Sequence, residues 1–169
     1  YDGKSVYIED MASIPLAHYR VEGGDDHSAL VGALSKFVQD KGIGPKETVF
    51  ISLAGRNAFS RVTTLPPVGP DAIRQTIINE ARGQIPIKLE EAVWDYQPIK
   101  SDSDEVQVNL YAVKRDVVNA LVNTCKTAGL PIAGIQLAPL GIYNFVKHEL
   151  DASISQACVC IDIGADNTD

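Results

Sequence analysis

The stretch VQVNLYAV, Val106 to Val113, alternates Val106, Val108, Leu110 and Ala112 with Gln107, Asn109 and Tyr111. Side chains alternate across a strand, so this segment must lay one face on an apolar core and leave the other in a polar setting, as a half-exposed antiparallel strand does. Its neighbours restrict the fold further. Val93 to Ile99 reads as a strand joined to it by the charged connection Ser101 to Glu105, and Arg61 to Leu65 as a short earlier strand. A helix is predicted on either side. The first begins near Pro70, where proline is tolerated, carries Ile73, Ile77, Ile78 and Ala81 on one face, and ends before Ile85 and Pro86. The second carries Val117, Val118, Leu121, Val122 and Cys125 and closes at Gly129, with Pro131 beyond. The order strand, helix, strand, strand, helix predicts an α+β unit with its helices on one sheet face.

Outside that unit the pattern is α/β. Ser5 to Ile8 and Pro15 to Val21 read as short strands, followed by turn residues Gly23 to Asp26. From Ser28 to Lys41, Leu30, Val31, Leu34, Phe37 and Val38 recur at helical spacing, with aspartates before and Gly42 after. Thr48 to Leu53 reads as a buried strand returning beside the first ones. Ile132 to Leu137 is a further strand, Pro139 opens a helix with Leu140, Tyr143, Phe145 and Val146 available for packing, and Ala157 to Ile163 is the last strand. The simplest partition is an α/β domain at 1–56 and 138–169, split by an inserted α+β subdomain at 57–137.

Charge and composition exclude several classes. Fifteen Lys and Arg against 22 Asp and Glu give a net charge of -7, whereas a nonspecific nucleic-acid binder needs a basic face. No apolar run approaches the ~20 residues of a spanning helix. Cys125, Cys158 and Cys160 have no zinc or redox spacing, and Cys158 and Cys160 share one face of a strand, where small buried thiols are the ordinary expectation. His18, His27 and His148 are dispersed, so neither metal nor triad is expected, and Ser52 and Ser60 lack a nucleophile elbow. Glu90, Glu91 and Asp95 read as a solvated acidic edge without an acid–base partner. Arg74 and Arg82 read as a solvated helix stripe, and Trp94 with Tyr96 as a core anchor or, alternatively, an aromatic platform for a peptide. No catalytic residue is assigned.

The chain ends on CIDIGADNTD. A strand running into Asp162-x-Gly164 and small polar residues offers a carboxylate, a glycine where backbone can approach phosphate, and the Thr168 hydroxyl. Asp-x-Gly followed by Asp-Asn is equally the vocabulary of a β-hairpin turn.

The stretch RVTTLPPVGPDAIRQTIINEARGQIPIKLEEAVWDYQPI, from Arg61, resembles the inserted subdomain of the PilM family, actin-like proteins of type IV pilus assembly. AGLPIAGIQLAPLGIYN resembles the return into the actin-like core, and DIGADNT the second phosphate loop. FtsA of cell division and the GspL cytoplasmic domain of type II secretion share the architecture. The resemblance implies a partial actin-like, ribonuclease H-like core with an SHS2-like insertion, located in the bacterial cytoplasm and held peripherally at the inner membrane through a partner. It implies ATP with Mg2+ as cofactors, and as partner the cytoplasmic tail of a PilN-like inner-membrane protein, bound in a groove near the inserted subdomain. By motif match Asp162, Gly164 and Thr168 become phosphate or Mg2+ positions, Asp162 acting on Mg2+ through water, with Asp166 and Asn167 as loop neighbours; Ala165 stands where the family often has glycine. We read the chain as a fragment whose first phosphate loop precedes Tyr1 and whose adenosine pocket follows Asp169. A single phosphate loop cannot cage a triphosphate, so no appreciable ATP binding or ATPase activity is expected of the chain alone. Unpaired strand edges could also drive self-association. The alternative function is a nucleotide-independent peptide-binding or polymerising adaptor in cell division or type II secretion, FtsA-like or GspL-like.

Overall fold

The computed structural model describes residues 7–66, 69, 72–99, 106–150 and 158–164. Contacts group the chain into two compact units, one from Tyr1–Thr48 and Asn123–Pro131, the other from Val49–Val122 and Ile132–Asp169.

The first unit is built on helix α1, Asp26–Lys41. Asp25 caps it, its carboxylate accepting from the Ser28 N–H at 2.8 Å, so the helix starts two residues ahead of the apolar pattern. Gly42, at φ 63°, closes it in the left-handed conformation. The fully buried positions are Ala29 and Ala33, one turn apart, while the larger residues of the predicted stripe are half-buried. Small side chains sit where neighbours approach most closely. Pro15 to Val21 is not a strand: Leu16–Tyr19 is a 3-10 turn, with the His18 N–H bonded to the Pro15 carbonyl. Tyr7 and Ile8 are irregular, and the rest of the predicted first strand lies outside the described residues. A strand exists only through its ladder, and no strand among the described residues pairs with these apolar residues.

Capping has a measurable consequence in this unit. The Asp25 carboxyl is held below its usual range by its hydrogen bonds to Ser28. A depressed folded pKa contributes stability that is complete above the unfolded value, ~3.9, and is lost as pH falls through the lower folded value. Asp25→Asn is therefore expected to flatten the acid limb of the helical circular-dichroism signal below about pH 4, and an unchanged acid limb would contradict the cap's role.

In the second unit, strand β1 (Val49–Leu53) pairs in parallel with β5 (Ile132–Leu137), and not with the described amino-terminal residues. Nor is β1 buried on both faces, since Phe50 and Ser52 are exposed. Phe50 lies opposite Gly134, where an added Cβ would come within 2.9 Å of its ring. The antiparallel sheet has the order β2-β4-β3, from Ala58–Leu65, Val106–Lys114 and Ala92–Ile99. Helix α2 (Ile73–Gln84) packs Ile77 and Ala81 into a core with Leu65, Val108, Leu110 and Ala112. Trp94 and Tyr96 are partly buried against that core, which places them on the anchor side of their two readings.

Ile85 leaves the helix at ψ 127° ahead of Pro86. Helix α3 runs Arg115–Thr127. At its start Arg115 donates from Nε to the Glu90 carbonyl (3.2 Å) and from Nη2 to that of Ala92 (2.6 Å), tying the entry of β3 to the end of β4. Helix α4 is Ala138–Leu150. The connection Ser101 to Glu105 lies outside the described residues.

Candidate functional site: a polar-floored groove

Because β4 gives its apolar residues to the core, its other residues face away from that core. Register completes this face: Ser60 of β2 stands opposite Tyr111, and Gln97 of β3 opposite Asn109. Helix α4 supplies a wall through Pro139, Leu140, Tyr143 and Lys147, enclosing an open groove of about 790 Å³. Pro98, Ile99 and Leu137 border it.

The floor is hydrogen-bonded within itself. Ser60 Oγ donates to Asn109 Oδ1 at 3.1 Å, and Asn109 Nδ2 donates to the Tyr111 hydroxyl oxygen at 2.8 Å. Desolvation raises the Tyr111 phenol above its usual value, so it stays protonated at neutral pH. Among the described lining residues Lys147 is the one charged side chain. An open groove with a largely apolar wall and a neutral, hydrogen-bonding floor offers an occupant both apolar burial and hydrogen-bonding partners.

The residues singled out from sequence are placed as follows. Asp162 and Gly164 are exposed and are not among the groove's lining residues, while Asp166, Asn167 and Thr168 lie outside the described residues. Cys158 to Ile163 is irregular apart from a single bridge residue, Ile163, which corrects the predicted last strand. Cys158 and Cys160 are exposed rather than buried, for the same reason: no described strand pairs along this segment to cover them. Cys125 is buried. Among the described residues no group of three His, Cys, Asp or Glu could hold a metal ion. Glu91 is paired with Lys88 at 3.5 Å, and Glu90 and Asp95 are solvent-exposed. His27 meets Thr124 at 3.0 Å and His148 meets Glu149 at 3.0 Å. Sequence reasoning missed the roles of Asn109, Tyr111, Ser60 and Lys147. The alternation of β4 marked the first two as the polar face but carried no signal that a helix covers it.

Two sheets, one parallel and one antiparallel, with helices between the strands define a mixed α/β chain. The particular likeness is to a chain of the PilM-PilN type IV pilus biogenesis complex, with a TM-score of 0.72 and 21% identity over 85% of this chain and 44% of that one. This chain therefore spans less than half the length of the PilM-type structure whose fold it shares. The cytoplasmic domain of EpsL, an inner membrane component of the type II secretion system of Vibrio cholerae, aligns over 62% of this chain with a TM-score of 0.47 and 13% identity. No family model matches the sequence. No curated protein matches it either. No helix among the described residues is long and apolar enough to cross a membrane.

Proposed function

We propose that this chain belongs to an actin-like scaffold of type IV pilus assembly that holds the cytoplasmic tail of a PilN-like inner-membrane protein in the groove between α4 and the β2-β4-β3 sheet. The observation that carries this reading is the PilM-type fold, matched over 85% of the chain, with an open groove of about 790 Å³ built on it. In this reading residues 57–137 form an SHS2-like insertion within a partial actin-like core at 1–56 and 138–169. The scaffold sits in the cytoplasm, at the membrane only through its partner. ATP and Mg2+ are the proposed ligands of a PilM-length protein, with Asp162, Gly164, Asp166, Asn167 and Thr168 as phosphate or Mg2+ positions and no catalytic residue assigned.

The test is a titration of the chain with a fluorescent peptide of the PilN-like tail. Saturable binding is expected, and Leu140→Asp, which places a charge on the groove's apolar wall, is expected to weaken it about 100-fold while the circular-dichroism spectrum is retained. Equal binding by the variant would remove the groove from the proposal. Repeating the titration on a PilM-length protein with and without ATP and Mg2+ separates a nucleotide-set switch from a constitutive adaptor.

A further inference from the structure

Two thiols lie outside the described lining of the groove and have no part in its chemistry. Cys158 and Cys160 are both exposed, as are Val159 between them and Ile161 after them. The expectation of small buried thiols fails here, and with it the reason to regard them as inert. The two side chains are in contact, Cys160 being hydrogen-bonded with Cys158. Desolvation first, then the charge and the hydrogen bond of Cys158, raise the Cys160 thiol above its usual value, so the pair resists carrying two thiolates side by side. Among the described residues no third His, Cys, Asp or Glu joins them in a metal-binding group. Touching thiols that are open to solvent and lack further ligands suit exchange with a disulfide better than a structural metal, which asks for four ligands.

The spacing decides what kind of bridge the pair makes. At full extension, residues two apart are about 6.6 Å from one another, near the upper end of the ~4.4–6.8 Å between Cα atoms that a disulfide accepts. A bridge across one intervening residue also closes too short a loop to constrain the unfolded chain much. An exposed bridge at the edge of the allowed geometry is of the labile, readily reduced kind.

We propose that Cys158 and Cys160 form a reversible redox modification site whose co-substrate is a small-molecule disulfide of the glutathione type. One thiol gives its proton to solvent and its sulfur attacks the external disulfide, forming a mixed disulfide and releasing one glutathione. The second thiol then loses its proton, displaces the remaining glutathione and closes the bond between Cys158 and Cys160. The protein gives up two electrons and two protons, and the glutathione disulfide takes up both as it becomes two thiols. Excess reduced glutathione runs the sequence backwards.

The experiment incubates the reduced chain, and a PilM-length protein containing it, with glutathione disulfide, quenches in denaturant with a maleimide, and reads intact and peptide masses. Before the label is added, a loss of about 2 Da is expected. Cys158 and Cys160 should then be unlabelled and the buried Cys125 labelled, and excess reduced glutathione should restore all three thiols to labelling. Cys158→Ser and Cys160→Ser, both at exposed positions, should keep the wild-type circular-dichroism spectrum and stop at the mixed disulfide, because the thiol that would displace glutathione is gone. Cys125→Ser should bridge as the wild type does. Glutathione retained on both exposed cysteines of the wild type overturns the inference, as does a disulfide-linked dimer in place of the internal bridge. Thiols that stay labelled in either protein overturn it too, and so does a bridge that excess reduced glutathione leaves closed.

Discussion

Replacing Leu110 by alanine is expected to remove about 2–5 kcal/mol from the stability of the sheet-containing unit. Leu110 is fully buried at the centre of β4, the strand that both β2 and β3 pair with, and it packs beneath Ile77 and Ala81 of α2. Truncation loses the transfer free energy of the removed methyl groups and leaves a cavity whose walls are held by three strands and a helix, so collapse is restricted. A urea slope of about 2 kcal/mol per molar, the middle of the usual range, converts the loss into a midpoint shift of about 1–2.5 M. Trp94, the one tryptophan, is packed against this core and reports its opening by fluorescence. A shift below about 0.3 M would mean that the core is not organised around β4.

Ala81→Leu tests the same core from the opposite direction. Ala81 has no exposed surface, and α2 meets the sheet there through a methyl group. Three added carbons have no space without displacing Ile77 or lifting the helix, so a loss of about 1–3 kcal/mol is expected, read as a lowered thermal midpoint. Arg82→Ala, the next residue and solvent-exposed, is the control and should stay within about 0.5 kcal/mol. Equal midpoints for Ala81→Leu and wild type would show that α2 does not bear on the sheet at this position.

The same chemistry explains which parts were legible in the sequence. Val106 to Val113, Ile73 to Ala81 and the caps Asp25 and Gly42 were readable because periodicity and capping are local properties of consecutive residues. Prolines and glycines fixed the ends: Ile85 before Pro86, and Gly129 at φ 81° after α3. Beside β1, whose partner was misjudged, two misread segments were predicted strands that pair with no strand among the described residues. Pro15 to Val21 and Cys158 to Ile163 carry apolar side chains suited to a sheet, but composition does not say which edge, if any, will accept them. The groove was hidden for a related reason. A polar strand face facing water and a polar face roofed by a helix have the same sequence signature, and only the placement of α4 tells them apart.

The pairing of β1 with β5 carries a kinetic meaning. Val49 and Ile132 are joined by the chain that contains the three-stranded sheet, α2 and α3, so their ladder is among the least local contacts in the molecule. Bringing two distant segments together from an unfolded chain carries a loop-closure penalty that rises with the logarithm of the intervening length. Once β2, β3 and β4 have associated, that intervening length is shortened by a folded body whose first strand begins soon after β1. The antiparallel sheet thus acts as a clasp in time as well as in space, and refolding should show the Trp94 signal recover before protection of the β1 and β5 amides.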